Sequence, residues 1–167
     1  MGMTYTQGTD VSALEPAELA ARLEDVVMAG MRWLGKLSEE AAGRPEREGK
    51  WSGKQVIGHL TDSAVNNLGR IVRMQIAPGQ TMQGYEQEEW VALQHYAERD
   101  WSQVLAAWAI LNAQIAWVVA HVEKSKLGNK GLIEGDELTL GFLIEDYVAH
   151  MEHHLRLMRA WTMVEAG

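Results

Sequence analysis

The chain has 167 residues, of which 47% are apolar and 23% charged, and it contains no cysteine. This length predicts a single domain spanning residues 1–167, and the lack of cysteine excludes disulfides, thiolate zinc sites and cysteine nucleophiles. Fifteen basic and 23 acidic residues give a net charge of −8, so no nucleic-acid partner is expected.

The chain begins with a polar stretch, Met1 to Asp10, that lacks the basic and apolar regions of a secretion signal. No run of the roughly 18 apolar residues needed to cross a bilayer follows it. These features predict a cytoplasmic protein with no membrane partner.

The first predicted helix runs from Pro16, a residue suited to the first helical turn, to about Ala42. Its apolar residues recur every three or four positions, which is typical of a helix with one buried face. They are Leu19, Leu23, Val26, Val27, Trp33, Leu34 and Leu37. Gly43, Arg44 and Pro45 end the helix.

The second predicted helix begins at Ser52 and continues to about Ile76, where a proline-glycine pair ends it. Ser52 followed by Gln55 forms a capping-box pattern, in which the hydroxyl and the amide bind otherwise unpaired backbone N–H groups. A long connection, roughly 78–100, comes next. Connections of this length inside a compact domain are often functional or contain a short helix of their own.

The third predicted helix starts near Trp101 and has the clearest apolar periodicity in the chain. After a glycine-rich loop at 128–135, Thr139 is a candidate N-cap for a fourth helix that extends to about Trp161. No alternating pattern is long enough to predict a sheet. The sequence therefore predicts an all-α fold, a four-helix bundle with a long connection between helices 2 and 3.

Three of the six histidines lie close together on the fourth predicted helix. At about 100° per residue, His150 and His154 share one face with buried positions of that helix, whereas His153 points to the side. Two inward imidazoles need a partner that offsets their desolvation, and a divalent metal is one such partner. His59, beside core positions of the second helix, is a candidate third ligand.

Two aspartates lie one helical turn from these histidines. Asp62 follows His59, and Asp146 precedes the pair on the fourth helix, so both are predicted to orient imidazole N–H groups. The alternative to a metal site is that His150 and His154 form a surface pair and that His59 is a structural residue at the edge of the core. A bundle that binds no metal would require His59 to lie far from this pair. His95 and His121 have no partner at ligand spacing and are predicted to be solvated or structural.

Four segments of the chain resemble motifs of the DinB/YfiT-like superfamily in their order and spacing. The resemblance covers nearly the whole sequence. They are Trp51-Ser52-x-Lys54-x-x-x-Gly58-His59-Leu60-x-Asp62-Ser63, Asn67-x-x-Arg70, Gly84-Tyr85-Glu86-Gln87-Glu88-Glu89-Trp90 and Glu145-Asp146-Tyr147-x-x-His150-x-x-His153-His154-Leu155. The resemblance implies an up-and-down four-helix bundle, often homodimeric, that holds a divalent ion such as nickel or zinc on three histidines. By motif position those ligands are His59, His150 and His154.

The resemblance also implies an enzyme that acts on a small molecule, either a hydrolase or a transferase that uses a low-molecular-weight thiol such as bacillithiol. Metal coordination lowers the pKa of a water or thiol ligand, so that the nucleophilic anion exists near neutral pH. Glu86 and Glu89, in the long connection, are candidate proton acceptors if that loop folds over the metal. The alternative is a noncatalytic metal- or ligand-binding module, and an open coordination position beside an apolar pocket would favour the enzyme.

Overall fold

The computed structural model describes residues 4–6 and 8–162, and helices form most of it. In chain order the helices are α1 (Pro16–Leu34), α2 (Glu39–Gly43), α3 (Gly53–Ile76), α4 (Gln87–Leu93), α5 (Trp101–Ala120) and α6 (Leu140–Thr162). The four long helices α1, α3, α5 and α6 form a bundle, which confirms the predicted fold class. The predicted domain limits, residues 1–167, include 1–3, 7 and 163–167, which lie outside the described residues.

The capping box at the start of α3 forms as predicted. The Ser52 N–H donates to Gln55 Oε1 at 3.0 Å, and the Gln55 N–H donates to the Ser52 hydroxyl at 3.4 Å. The first predicted helix is instead two helices, since α1 ends at Leu34 and Ser38 caps α2 by accepting a hydrogen bond from the Ala41 N–H. A serine that can accept this bond favours a new helix start over a continuing helix.

A three-stranded sheet lies between the end of α3 and the start of α6, although the sequence pattern predicted no sheet. Its strands, in order across the sheet, are β1 (Gln80–Met82), β2 (Lys130–Ile133) and β3 (Asp136–Thr139), with β1 parallel and β3 antiparallel to β2. Glu134 and Gly135 form the hairpin turn with φ angles of 52° and 89°, as a type I′ turn requires. The prediction was wrong because strands of three or four residues are too short for an alternating pattern to stand out.

Each long helix packs against two others, and their order around the bundle is α1, α5, α3, α6. The Trp101 indole N–H donates to the Leu34 carbonyl at 3.1 Å, which places the start of α5 beside the end of α1. These two helices are therefore antiparallel. The helices α3 and α6 are also antiparallel, because the sheet joins the end of one to the start of the other.

Two neighbouring pairs of helices run parallel, and this corrects the up-and-down arrangement that the resemblance implied. Arg22 pairs with Glu152 early on α1, and Gly30 packs against Leu155 further along both helices, so α1 and α6 are parallel. It follows that α3 and α5 are parallel as well. The chain must return along the whole bundle between them, and the connection at 77–100, with β1 and α4, supplies that return.

The helix α5 is the most apolar of the four. Its inner face is buried against α1 and α3 by Val104, Trp108, Ile115 and Val119. By length and composition alone α5 is apolar enough to cross a membrane. The sequence pattern did not identify it, because the prediction required an uninterrupted run of apolar residues. On its outer face Ile110 is 70% and Trp117 is 66% exposed.

The homodimer that the family resemblance implies stays a prediction. The molecular mass measured by light scattering would test it.

Candidate metal centre

Three histidines from two helices meet where α3 packs on α6. His59 lies on α3, and His150 and His154 lie one turn apart on α6. Their candidate ligand nitrogens all lie within 4.8 Å of one another, and the Nε2 atoms of His59 and His150 are 3.1 Å apart. The alternative in which His59 lies far from the pair is therefore wrong. We call these three side chains the histidine cluster.

Aromatic rings enclose the histidine cluster on two sides. The Trp51 ring lies 5.1 Å from the ring of His59, and the Tyr5 ring lies 4.8 Å from that of His150, centroid to centroid. His59 is 1% exposed and His150 is 9% exposed. His154 is half-buried, so the cluster is withdrawn from bulk water at His59 and His150 and partly open at His154.

Burial controls the ionisation of the histidine cluster. It lowers the pKa of His59 and of His154 to about 4 and the pKa of His150 to about 2, and repulsion from the neighbouring imidazoles adds to each shift. All three imidazoles are therefore neutral at pH 7. A neutral imidazole keeps a nitrogen lone pair, which is the form that binds metal ions.

The cluster fits a divalent ion by its donor set. Three imidazole nitrogens suit zinc, nickel and related ions, and nitrogens 3.1 Å apart can both lie about 2.1 Å from one ion. The Nδ1 atom of His59 is buried without a hydrogen-bond partner among the described residues. Without an ion the two Nε2 atoms can share one proton in a hydrogen bond, and an ion that both nitrogens ligate would replace that bond.

The two predicted orienting aspartates bind other groups. The Asp62 Oδ1 atom accepts hydrogen bonds from the Tyr96 hydroxyl at 2.7 Å and from the Gln94 amide at 2.8 Å. Asp146 Oδ1 accepts from the backbone N–H groups of Tyr5 and Thr6. The prediction that these carboxylates bind imidazole N–H groups is wrong, because segments distant in sequence supply closer donors than the neighbouring helical turn does.

A cavity of about 880 Å³ opens beside His150. Parts of α3, α6, the β2–β3 hairpin and the long connection line it, as does the N-terminal segment at Thr4 and Tyr5. The connection contributes Tyr85 and Gln87, whereas Glu86 and Glu89 are exposed and do not line the cavity. The loop does fold over the bundle, but the structure corrects the choice of its residues, since the start of α4 turns Glu86 and Glu89 toward solvent.

The remaining histidines lie outside the cluster. His153 is half-buried on α6 and contacts the ring of Tyr5, at 5.2 Å between centroids. His95 and His121 are exposed, as predicted. These positions supply control variants for experiments on the cluster.

Sequence reasoning missed the residues that complete the site from a distance. Tyr5 reaches the cluster because its backbone is held by Asp146, some 140 residues away in the chain. Tyr85 lines the cavity, and burial raises its pKa to about 12. Both tyrosines belong to irregular segments, where no periodicity indicates which way a side chain points. The only signal for Tyr85 was its place in the third segment of the resemblance.

A family model described as the DinB superfamily matches residues 22–158. The chain belongs to the DinB superfamily. A relative in Bacillus licheniformis, named "Putative metal-dependent hydrolase", is 24% identical to this DinB-superfamily protein over 127 residues, which are 75% of this chain and 72% of the relative.

Two solved structures share the fold of this DinB-superfamily protein. One is YfiT from Bacillus subtilis, described as "a probable metal-dependent hydrolase with an unusual four-helix bundle topology". It is 18% identical with a TM-score of 0.84, and the match covers 96% of this chain and 92% of YfiT. The other is the mycothiol-dependent maleylpyruvate isomerase, 13% identical with a TM-score of 0.69, over 89% of this chain and 62% of the isomerase. At these identities the likeness shows the fold alone.

Acid should destabilise the metal-free DinB-superfamily protein. Above pH 6.5 His59 is neutral in both folded and unfolded chains, and as the pH falls toward 4 the unfolded chain takes up the proton first. His59 alone should then lower the free energy of unfolding by about 2 kcal/mol at pH 5. Urea unfolding at pH 7.5 and pH 5 measures the loss, which should be smaller in His59→Gln. An equal loss in both proteins would contradict the assignment.

Proposed function

We propose that this protein is a metal-dependent enzyme in which His59, His150 and His154 hold one divalent ion, zinc or nickel. The observation that carries the proposal is the histidine cluster: three neutral imidazoles whose nitrogens converge, with one of the three, His150, lining an 880 Å³ cavity. When bound, an ion on three protein ligands supplies an open coordination position, at which it can polarise a carbonyl or lower the pKa of a water or thiol.

The surrounding residues support catalysis more than a purely structural metal. A structural site is closed by its protein ligands, whereas His150 lines a cavity large enough for a small-molecule substrate. The Trp51 ring packs against His59 and the Tyr5 ring against His150, and Tyr5 also lines the cavity. This arrangement favours the enzyme over the noncatalytic binding module.

Two reaction classes remain in the proposal. Hydrolysis has the support of the names given to the Bacillus licheniformis relative and to YfiT. Transfer or isomerisation with a low-molecular-weight thiol has the support of the mycothiol-dependent isomerase, which shares the fold. Because the chain has no cysteine, any thiol must arrive as a second substrate.

An activity screen of the metal-loaded protein tests the proposal and separates the two classes. One arm contains esters and amides, and the other contains small electrophiles with and without bacillithiol or glutathione. Turnover in the ester or amide arm alone indicates a hydrolase, and turnover that requires the added thiol indicates a transferase. We expect activity to fall at least about a hundredfold in His150→Ala and His154→Ala, since losing even an outer-shell partner of a metal costs 10–100-fold.

His153→Ala is the matched control, because His153 is on the same helix and its ring packs 5.4 Å from that of His154, but it is not one of the converging ligands. Its activity should stay far closer to the wild type than that of the ligand variants. Turnover that survives the loss of His150 or His154 would show that the chemistry occurs elsewhere. A protein that binds the metal and turns over nothing in either arm would favour the noncatalytic module.

A further inference from the structure

Arg70 stands on the wall of the cavity with little to balance its charge. It is half-buried, and burial lowers the pKa of its guanidinium group. Its Nη2 atom donates to the Gln83 carbonyl at 2.9 Å, and its Nη1 atom lies 3.5 Å from the Asn67 amide oxygen. Among the described residues no carboxylate lies within ion-pair distance of it. A guanidinium has five N–H donors, so most of them are left for a ligand.

Of the four carboxylates that line the cavity, two bind other groups, and two, Glu134 and Asp136, have no ion-pair partner among the described residues. Asp146 accepts from two backbone N–H groups, and Glu137 pairs with Lys130 at 2.6 Å. Glu134 acts on Arg70 through space only, and its side chain lies against Gly84. The acidic wall would repel a dianion such as phosphate, which favours a carboxylate with a single charge as the group that Arg70 meets.

A polar stripe on α3 links Arg70 to the histidine cluster. His59, Ser63, Asn67 and Arg70 follow one another at steps of four, four and three residues, which places them on one face of the helix. Ser63, Asn67 and Arg70 line the cavity, and His150 lines it on the α6 side. Because the guanidinium lies at the level of Asn67, the stripe spans about 12 Å from the cluster, the axial rise over eight residues.

We propose that the cavity binds an extended small molecule whose terminal carboxylate pairs with Arg70 while its reacting group lies at the histidine cluster. The second half of this inference rests on the proposed function, whereas the carboxylate subsite does not. A span of about 12 Å is the length of three to four extended residues. The substrate class is therefore a linear monocarboxylate about as long as a tripeptide, and Arg70 determines specificity for it.

The carboxylate subsite can be tested on the metal-free protein. The probe is a homologous series of linear dicarboxylic acid monohydroxamates, and the readout is the NMR signal of the Arg70 Nε–H group, assigned by its loss in Arg70→Lys. We expect a saturable shift of this signal, and calorimetry should show affinity at least about tenfold weaker in Arg70→Gln. Glu134→Gln should change affinity in the opposite direction, because it removes a competing carboxylate. No shift, or equal affinity in Arg70→Gln, would overturn the subsite.

The length of the ligand is tested on the metal-loaded protein with the same series, because a hydroxamate binds metal ions. Affinity should pass through a maximum at one chain length in the wild type, and that maximum should disappear in Arg70→Gln. Alkyl hydroxamates without a carboxylate are the matched probes and should bind both proteins equally. A flat length dependence with metal bound overturns the span. If the protein does not bind metal at all, the proposed function is contradicted. The test of the carboxylate subsite on the metal-free protein is not affected by that outcome.

Discussion

Metal binding is expected to fall more than about a hundredfold when His59, His150 or His154 is replaced singly by alanine. Each substitution removes one of the three converging nitrogens. Losing a direct ligand should lower metal affinity by more than the 10–100-fold that follows the loss of an outer-shell partner. Competition with a chelator, followed by calorimetry with zinc and with nickel, measures the affinity. His153→Ala should bind like the wild type.

The same experiment has a second readout in stability. An ion that binds only the folded chain raises its free energy of unfolding, by about 4 kcal/mol at a free concentration one thousand times the Kd. The wild type and His153→Ala should show this rise on metal addition, whereas the three cluster variants should gain no more than about 1.4 kcal/mol at the same concentration. Unchanged metal stoichiometry in all three cluster variants would remove the basis of the proposed function.

Gly58→Ala is expected to destabilise the protein by about 3 kcal/mol, the combined scale of an overpacked core and a lost buried hydrogen bond. A methyl group at Gly58 would stand 2.2 Å from the ring of Tyr96, which is only 3% exposed. The ring would have to move, and its hydroxyl would lose the 2.7 Å hydrogen bond to Asp62. The Asp62 carboxylate would then keep only Gln94 as a partner among the described residues.

Gly69→Ala is the matched control on the same helix. Its nearest neighbour would be the Arg73 guanidinium at 3.7 Å, an ordinary contact, so the variant should gain up to about 1 kcal/mol from the better helix propensity of alanine. Urea unfolding of the two metal-free variants at pH 7.5 gives both values. Equal stability of the two variants would show that Tyr96 does not fill the space beside Gly58.

Local chemistry determined where the four long helices begin and which two histidines of α6 share a face. The start of α3 at Ser52 depends on two side chains three residues apart, and the pairing of His150 with His154 depends only on the pitch of a helix. Each of these features depends only on residues three or four positions apart in the chain, so the sequence was enough to predict it. The choice of His59 as the third member came from its core position and from the family resemblance, and the structure places it within the cluster.

Tertiary structure alone decided what surrounds the cluster. The partner of Asp62 is Tyr96, Glu86 and Glu89 face solvent, and Tyr5 covers His150 because Asp146 holds the backbone of the N-terminal segment. Each outcome depends on where a connection without periodicity crosses a helix of the bundle. The helix order α1, α5, α3, α6 likewise depends on how buried faces match across the core. The amphipathic pattern shows that a helix has a buried face, but the identity of the facing helix is a property of the packed bundle.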